Sequence, residues 1–323
     1  MSVGEFDLIR RHFTRRSRDE AVVLGIGDDA AIVAVAPGLE LVLAVDMMVE
    51  GRHFLPSADP VALGHKILAV NLSDIAAMGA TPRWALLAGA LPDADDAWLA
   101  AFSRGLFALA DAHRVSLIGG DTTRGPRNLC LTIAGEVPSG CAIARHGATV
   151  GDDVWVSGSI GDAMLALAGL QQRLTLESRE LQRLLQRLEF PTPRVALGSA
   201  LRGVASAMID VSDGLCGDLS HILEQSKVGA SIEFDAIPRS PALDAVLRSD
   251  RREIAVACLL AGGDDYELCF TAPPTAREQI AQSARAVDVA VTRIGVINAA
   301  NDLVVRDGDG RSLPIPPSFD HFA

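Results

Sequence analysis

Lysine is nearly missing. Of the 29 basic residues, only Lys66 and Lys227 are lysines. A P-loop needs a lysine directly after its glycines, followed by Ser or Thr, and the protein-kinase fold needs one on a strand. Lys66 stands in Gly64-His65-Lys66-Ile67 and Lys227 follows Gln225-Ser226, so neither architecture fits. Cysteine pairs are missing as well. Cys130, Cys141, Cys216, Cys258 and Cys269 are odd in number and none forms a Cys-x-x-Cys. They read as reduced, mostly buried thiols of a cytoplasmic protein. No apolar run approaches the roughly 20 residues that span a bilayer. The first residues, MSVGEFDLIRRHF, are charged and contain no signal core. Acids outnumber bases by 41 to 29, a net charge of −12. A surface of that sign repels nucleic acid and anionic membrane, so neither is an expected partner. It also repels phosphates.

What is present is enough for two cores. At about 150 residues per domain, 323 residues suggest two domains, and 49% hydrophobic residues fit a globular chain. Helical and strand patterns alternate throughout, which predicts an α+β (mixed α/β) class. Phe6, Ile9 and Phe13 mark a short helix. Strands are expected at 40–46, 83–91, 115–118 and 128–137. Asp59-Pro60 caps and opens a helix to about Met78, and another helix is expected over 95–114. The Gly-rich stretch at 138–153 has no periodicity and holds the expected boundary, giving domains 1–140 and 150–323. Beyond it, strands are expected at 154–157, 205–211, 267–272, 289–297 and 303–305. Helices are expected at 162–170, after Thr192-Pro193, and from about Leu215.

The acid surplus is not evenly spread. Asp28-Asp29, Asp46, Asp121, Asp210 with Asp213, and Asp264-Asp265 stand at strand ends, most of them beside glycine. One such site is an ordinary turn; five of the same form ask for a common reason. Two positions go further. Asp74 shares a helix face with Ile67, Asn71 and Met78, and Asp210 shares a strand side with Met208. A buried carboxylate has to be paired or to bind metal. With so few lysines, and arginines expected at the surface, metal is the expected partner. All-oxygen ligation without a Cys/His cluster points to Mg²⁺. Mg²⁺ in an acidic protein suggests a polyphosphate ligand, because the metal joins carboxylates to phosphates.

Six segments carry a resemblance: 25–32 (GIGDDAAI), 45–54 (VDMMVEGRHF), 71–80 (NLSDIAAMGA), 117–126 (LIGGDTTRGP), 209–219 (IDVSDGLCGDL) and 262–268 (GGDDYEL). In order and spacing they resemble the thiamine-monophosphate kinases, as does the closing Phe319-Asp320-His321-Phe322. The resemblance implies transfer of a phosphoryl group from ATP to thiamine monophosphate. It implies the two-domain fold of aminoimidazole ribonucleotide synthetase, with the N-terminal domains paired in a homodimer. Residues 40–46 and 128–137 are the candidate pairing strands. It implies several Mg²⁺ ions held by Asp29, Asp46, Asp74, Asp121, Asp210 and Asp213, with Asp28 beside them. Gly120, Asp121, Arg145 and Ser212 match ATP-contacting positions; His53, Asp264 and Phe319 match positions that face the thiamine. Without their motifs, His53 is an ordinary loop histidine, Arg145 a solvated arginine and Phe319 an anchor for the C-terminus. One position departs from the family: Asp264 stands where Glu is usual, which keeps the charge and shortens the reach by a methylene.

The chemistry agrees with the residues. The nucleophile is a phosphate monoester with a second pKa near ~6, so it is mostly dianionic at pH 7. No general base and no covalent nucleophile on the protein is expected. The task is to align two anions and neutralise their charge. The same framework also serves enzymes that activate an amide oxygen with ATP, which product analysis with thiamine monophosphate separates, and a silent nucleotide-binding module is a further alternative, which ATP turnover separates.

Overall fold

The computed structural model describes residues 5–15 and 17–318. The chain divides into two units: Met1–Ile75 with Ala80–Gly140, and Ala76–Gly79 with Cys141–Ala323. The first contains α1 (Glu5–His12), β1 (Val22–Leu24), β2 (Ile32–Val33), β3 (Leu39–Val49), α2 (Pro60–Ala77), β4 (Thr81–Leu91), α3 (Asp96–His113), β5 (Ser116–Arg124) and β6 (Asn128–Pro138). Its four-stranded sheet runs β3-β6-β4-β5, with only β4 and β5 parallel.

Local chemistry sets the helix ends. Asp59 Oδ1 accepts from the Val61 amide at 2.8 Å, and Pro60 fills the first turn. Asp95 caps α3 by accepting from the Ala97 and Trp98 amides, and Arg114 closes it in the left-handed region at φ 56°. The two helices cross on glycines. A Cβ on Gly64 would lie 2.0 Å from the Phe102 carbonyl oxygen, and one on Gly105 1.9 Å from that of Val61. α2 is buried almost all round; Ile67, Asn71, Leu72 and Ile75 are fully enclosed, while Asp74 and Met78 mark its more open line. Asp74 therefore sits on the less covered side of a core helix, not beside a narrow apolar stripe.

From Leu41 to Met48, β3 alternates. Leu41, Leu43, Val45 and Met47 are 44, 66, 60 and 52% exposed, while Asp46 and Met48 turn to the covered side. The expected pairing strand at 128–137 has a different place. β6 is hydrogen-bonded to β3 on one side and β4 on the other, so it has no free edge; among the described residues the edges of this sheet are β3 and β5.

The second unit contains β7 (Asp153–Ser157), α4 (Asp162–Leu170), α5 (Ser178–Glu189), α6 (Val195–Ala200), β8 (Ala207–Val211), α7 (Leu215–Ser226), β9 (Gly229–Glu233), α8 (Pro241–Leu247), α9 (Arg252–Ala261), β10 (Glu267–Ala272), α10 (Arg277–Ala286), β11 (Val291–Asn298), β12 (Leu303–Arg306) and β13 (Ser312–Leu313). Its seven strands run β13-β12-β9-β11-β7-β10-β8, antiparallel except for β12 with β9. β7, β8 and β10 are buried on both faces, with Val156, Ile209 and Cys269 inside one apolar cluster with α4, α7 and α9. Thr192-Pro193 does not open α6. That helix starts at Val195 behind Arg194, whose guanidinium has no acceptor with which to cap it and donates to Glu267.

No helix among the described residues is long and apolar enough to cross a membrane. Cys216, Cys258 and Cys269 are buried, Cys130 is half-buried and Cys141 exposed; none of the five is joined in a disulfide.

Candidate active site

In the first unit a cavity of about 1170 Å³ opens beside β4 and β5, and Asp28, Asp29, Gly120 and Asp121 line it together. Gly120 is demanded by sterics. Its φ is 151°, and a Cβ there would lie 1.9 Å from the Leu87 carbonyl oxygen. The tight approach sets Asp121 opposite Ala88 with its carboxylate exposed. Asp28 and Asp29 are exposed too, and Asp28 Oδ1 accepts from the Asp29 amide at 2.8 Å. Apolar residues complete the lining, among them Trp98 and Phe102, which stack on one another with centroids 5.2 Å apart. One cavity thus carries both carboxylates and aromatic rings.

Asp46, His53 and Asp74 do not line that cavity. Asp46 sits on β3 opposite Leu131. His53 follows the turn after β3, where its Nδ1 accepts from the Val49 amide at 3.0 Å. That bond leaves the ring proton on Nε2, so the histidine presents a donor.

In the second unit Asp210 ends β8 with 4% exposure, and Ser212 and Asp213 follow it into the turn before α7. The turn is wound around Asp218. Its Oδ2 accepts from the amides of Ser212, Asp213 and Gly214 at 3.0, 3.1 and 3.1 Å. These amides are therefore occupied, and Ser212 has its hydroxyl rather than its N–H to offer a phosphate. Burial pushes the Asp218 carboxyl up to about 7, with Asp210 and then Asp213 adding like-charge repulsion. The turn also meets the 262–268 motif: the Asp264 and Tyr266 amides donate to the Ser212 and Val211 carbonyls at 2.9 and 2.8 Å. Ser212 and Asp264, 52 positions apart in the chain, are thereby neighbours. Arg145 is exposed on the segment leading to β7. Phe319 lies outside the described residues.

Arginine has a larger structural part than its expected surface place. Glu267 is fully buried and binds both Arg187 and Arg194; Asp153, also buried, binds Arg277. In the first unit Arg83 pairs with Asp19 and Glu136. For these carboxylates the partner is guanidinium, not metal. Sequence reasoning missed Glu267 as a structural centre; its place in an apolar strand of six buried residues was the available signal.

Among the described residues no three His, Cys, Asp or Glu side chains converge on a metal geometry. The donor set is nevertheless all carboxylate oxygen. It fits Mg²⁺, which takes one or two carboxylates and completes its shell with phosphates and water, rather than a full protein cage.

Comparisons with known proteins place this geometry in a family. Residues 27–137 match the model for the AIR synthase related protein N-terminal domain, and 149–308 the model for its C-terminal domain. The thiamine-monophosphate kinase of Salmonella typhimurium is 46% identical over 330 aligned positions, covering 100% of this chain and 99% of that protein. The crystal structure of thiamine-monophosphate kinase from Stenotrophomonas maltophilia K279a superposes with a TM-score of 0.87 at 45% identity, covering 97% of this chain and 99% of that one. The structure of AaThiL complexed with AMPPCP and TMP superposes with a TM-score of 0.76 at 30% identity, covering 99% and 97%.

Proposed function

The chain belongs to the thiamine-monophosphate kinase family and is a phosphotransferase that makes thiamine diphosphate from thiamine monophosphate and ATP; we propose that the transfer is direct, in line and assisted by Mg²⁺. The observation that carries the reading is the full-length match to kinases of this substrate, with Asp28, Asp29 and Asp121 of its acidic motifs lining one cavity.

Gly120 and Asp121 of the first unit, and Arg145 and Ser212 of the second, are the proposed ATP contacts. The apolar part of the cavity lining suits a base, and the acidic residues on it suit phosphates that arrive with their cations. Asp29, Asp46, Asp74 and Asp121, and in the second unit Asp210 and Asp213, would hold Mg²⁺. Bound Mg²⁺ supplies charge neutralisation on the transferring phosphoryl and on both partner oxygens. The chain's own residues do the rest. Gly120 lets the backbone turn closely enough to set Asp121 at the cavity, and the Asp218-bound turn fixes the Ser212 hydroxyl. His53 offers its Nε2 proton and Asp264 its negative charge on the thiamine side. The acceptor phosphate is already anionic, so alignment rather than proton removal is what the site provides.

The proposed assembly is a cytoplasmic homodimer. Its support is β3, an edge strand whose one face exposes Leu41, Leu43, Val45 and Met47 in a row. Sedimentation at micromolar concentration is expected to give a dimer, and a monomer would remove this part of the reading. The function is tested by mass-spectrometric detection of thiamine diphosphate from thiamine monophosphate and ATP. Product is expected with Mg²⁺ and not after exhaustive chelation. Turnover that survives chelation would refute the metal role; absence of product under every condition would refute the whole.

A further inference from the structure

Asp264 and Tyr266 both lie in the left-handed region, at φ 68° and 50°, and neither is glycine. L residues rarely adopt that backbone, and two within three positions persist only where the surroundings over-determine the loop. Here they do. The Asp264 and Tyr266 amides are tied to the Ser212 and Val211 carbonyls. A Cβ on Gly263 would lie 2.4 Å from the same Ser212 oxygen, so the two segments touch backbone to backbone. Asp265, between the two left-handed residues, turns inward, and both its carboxylate oxygens accept from the Gly161 amide, at 3.0 and 2.8 Å.

Glu267 anchors the other end. It accepts from Arg194 Nε at 2.6 Å and Nη2 at 2.5 Å, from Arg187 Nη2 at 2.7 Å and from the Ser157 hydroxyl at 2.6 Å. Ser157 Oγ in turn accepts from the Leu268 amide at 2.9 Å. A side chain on Gly158 would strike the Glu267 carboxylate, 2.1 Å away. On this locked loop the hydroxyl of Tyr266, the one tyrosine in the chain, donates to Asp264 Oδ1 at 3.0 Å.

We propose that Tyr266 is a positioning residue for thiamine monophosphate: its phenol aims the Asp264 carboxylate from a loop held in register by Asp265 and the Arg187–Glu267–Arg194 cluster. The proposal rests on the reading that Asp264 faces the thiamine. Asp264 carries its carboxylate on a single methylene, so its direction is set close to the backbone, and a phenol held on a rigid loop fixes that direction. The effect belongs to thiamine monophosphate and not to ATP.

The test is a double-mutant cycle on the full-length protein, with thiamine monophosphate and ATP varied separately. Tyr266→Phe keeps the ring and removes the donor. It is expected to raise KM for thiamine monophosphate about 5-fold, the order of one ordinary hydrogen bond, with KM for ATP within about two-fold. Asp264→Ala should raise the same KM further. Adding Tyr266→Phe to Asp264→Ala should then change little, because the phenol acts through the carboxylate. Unfolding midpoints read alongside separate a loosened fold from a misdirected carboxylate. Additive effects in the double variant overturn the proposal, as do equal rises in both KM values. An unchanged KM in Tyr266→Phe, where Asp264→Ala raises it, also overturns it. An unchanged KM in Asp264→Ala itself places the failure earlier, in the assignment of Asp264 to the thiamine, and the proposal falls with it.

Discussion

The acids lining the cavity of the first unit and the acids beneath the motif turns of the second are used in opposite ways. In the first, Asp28, Asp29 and Asp121 stand exposed around a cavity. In the second, Asp218, Asp265 and Glu267 are buried, and each is spent on the protein itself. Asp218 gathers three amides, Asp265 holds the Gly161 amide, and Glu267 binds two guanidiniums and a hydroxyl. An exposed acid is a charge left for an incoming cation. A buried acid with a full set of donors is a structural clamp. Aspartate-rich motifs that look alike in sequence thus divide into ligand-facing and backbone-holding members.

The sharpest way to break this division is to neutralise a clamp. Glu267→Gln leaves Arg187 and Arg194 facing a neutral amide in a dry place, and is expected to cost about 3–5 kcal/mol of stability. Chemical denaturation reads it. A loss within about 0.5 kcal/mol, the range of an ordinary surface change, would show that the cluster is not a clamp. Asp121→Asn should do the reverse. Its stability should stay within that same surface range, while turnover falls at least about 100-fold, the order seen when one electrostatic partner of a reacting group is lost. An Asp121→Asn enzyme with near wild-type turnover would move Asp121 out of the ligand-facing class.

Which features were legible in the sequence follows the same line. Signals within one turn read well. Asp59-Pro60 caps a helix where its sequence says it should, the helix expected over 95–114 forms at Asp96–His113 with Asp95 as its cap, and residues 267–272 form a strand with those bounds. The periodic leucines Leu181, Leu184, Leu185 and Leu188 of α5 carried a helix signal of the same kind that the reading did not take up. Features set by distant partners did not read. Arg194 looks like a residue after a helix-opening Thr-Pro, but Glu267, 73 positions on, takes its side chain. The alternation of 128–137 suits an edge or an interior strand equally, and only the pairing with β3 and β4 decides. In the site, the family motifs marked Asp264 but not Tyr266, whose part depends on a left-handed loop that no local pattern announces.

The smallest expected effect is on pH dependence, and it has opposite signs in the two units. In the first unit, burial pushes Asp19 up, but the Ala21 amide, the Arg83 guanidinium and the Trp84 indole N–H together hold it below its ordinary value of 3.8. The native state then holds fewer protons than the unfolded chain. The stability from this group is present above 3.8 and is lost as pH falls. In the second unit, burial raises Asp162 against the Ser240 hydroxyl, and raises Asp265 well above 3.8 against the Gly161 amide and Arg187. Here the native state holds more protons. The stability is complete below 3.8 and is lost as pH rises through the raised native values. Asparagine imitates the protonated acid, so each substitution has a pH signature. Asp19→Asn should destabilise at pH 7, with the penalty shrinking as pH drops below 3.8. Asp265→Asn should become less costly, or more favourable, relative to wild type as pH rises from 4 toward 7. Urea unfolding of both variants from below pH 3.8 up to pH 7, without divalent cations, measures the two trends. Parallel curves would mean that Asp19 and Asp265 titrate alike in the folded state, and the contrast between an acid lowered by a guanidinium and amide donors and one raised by burial would fall.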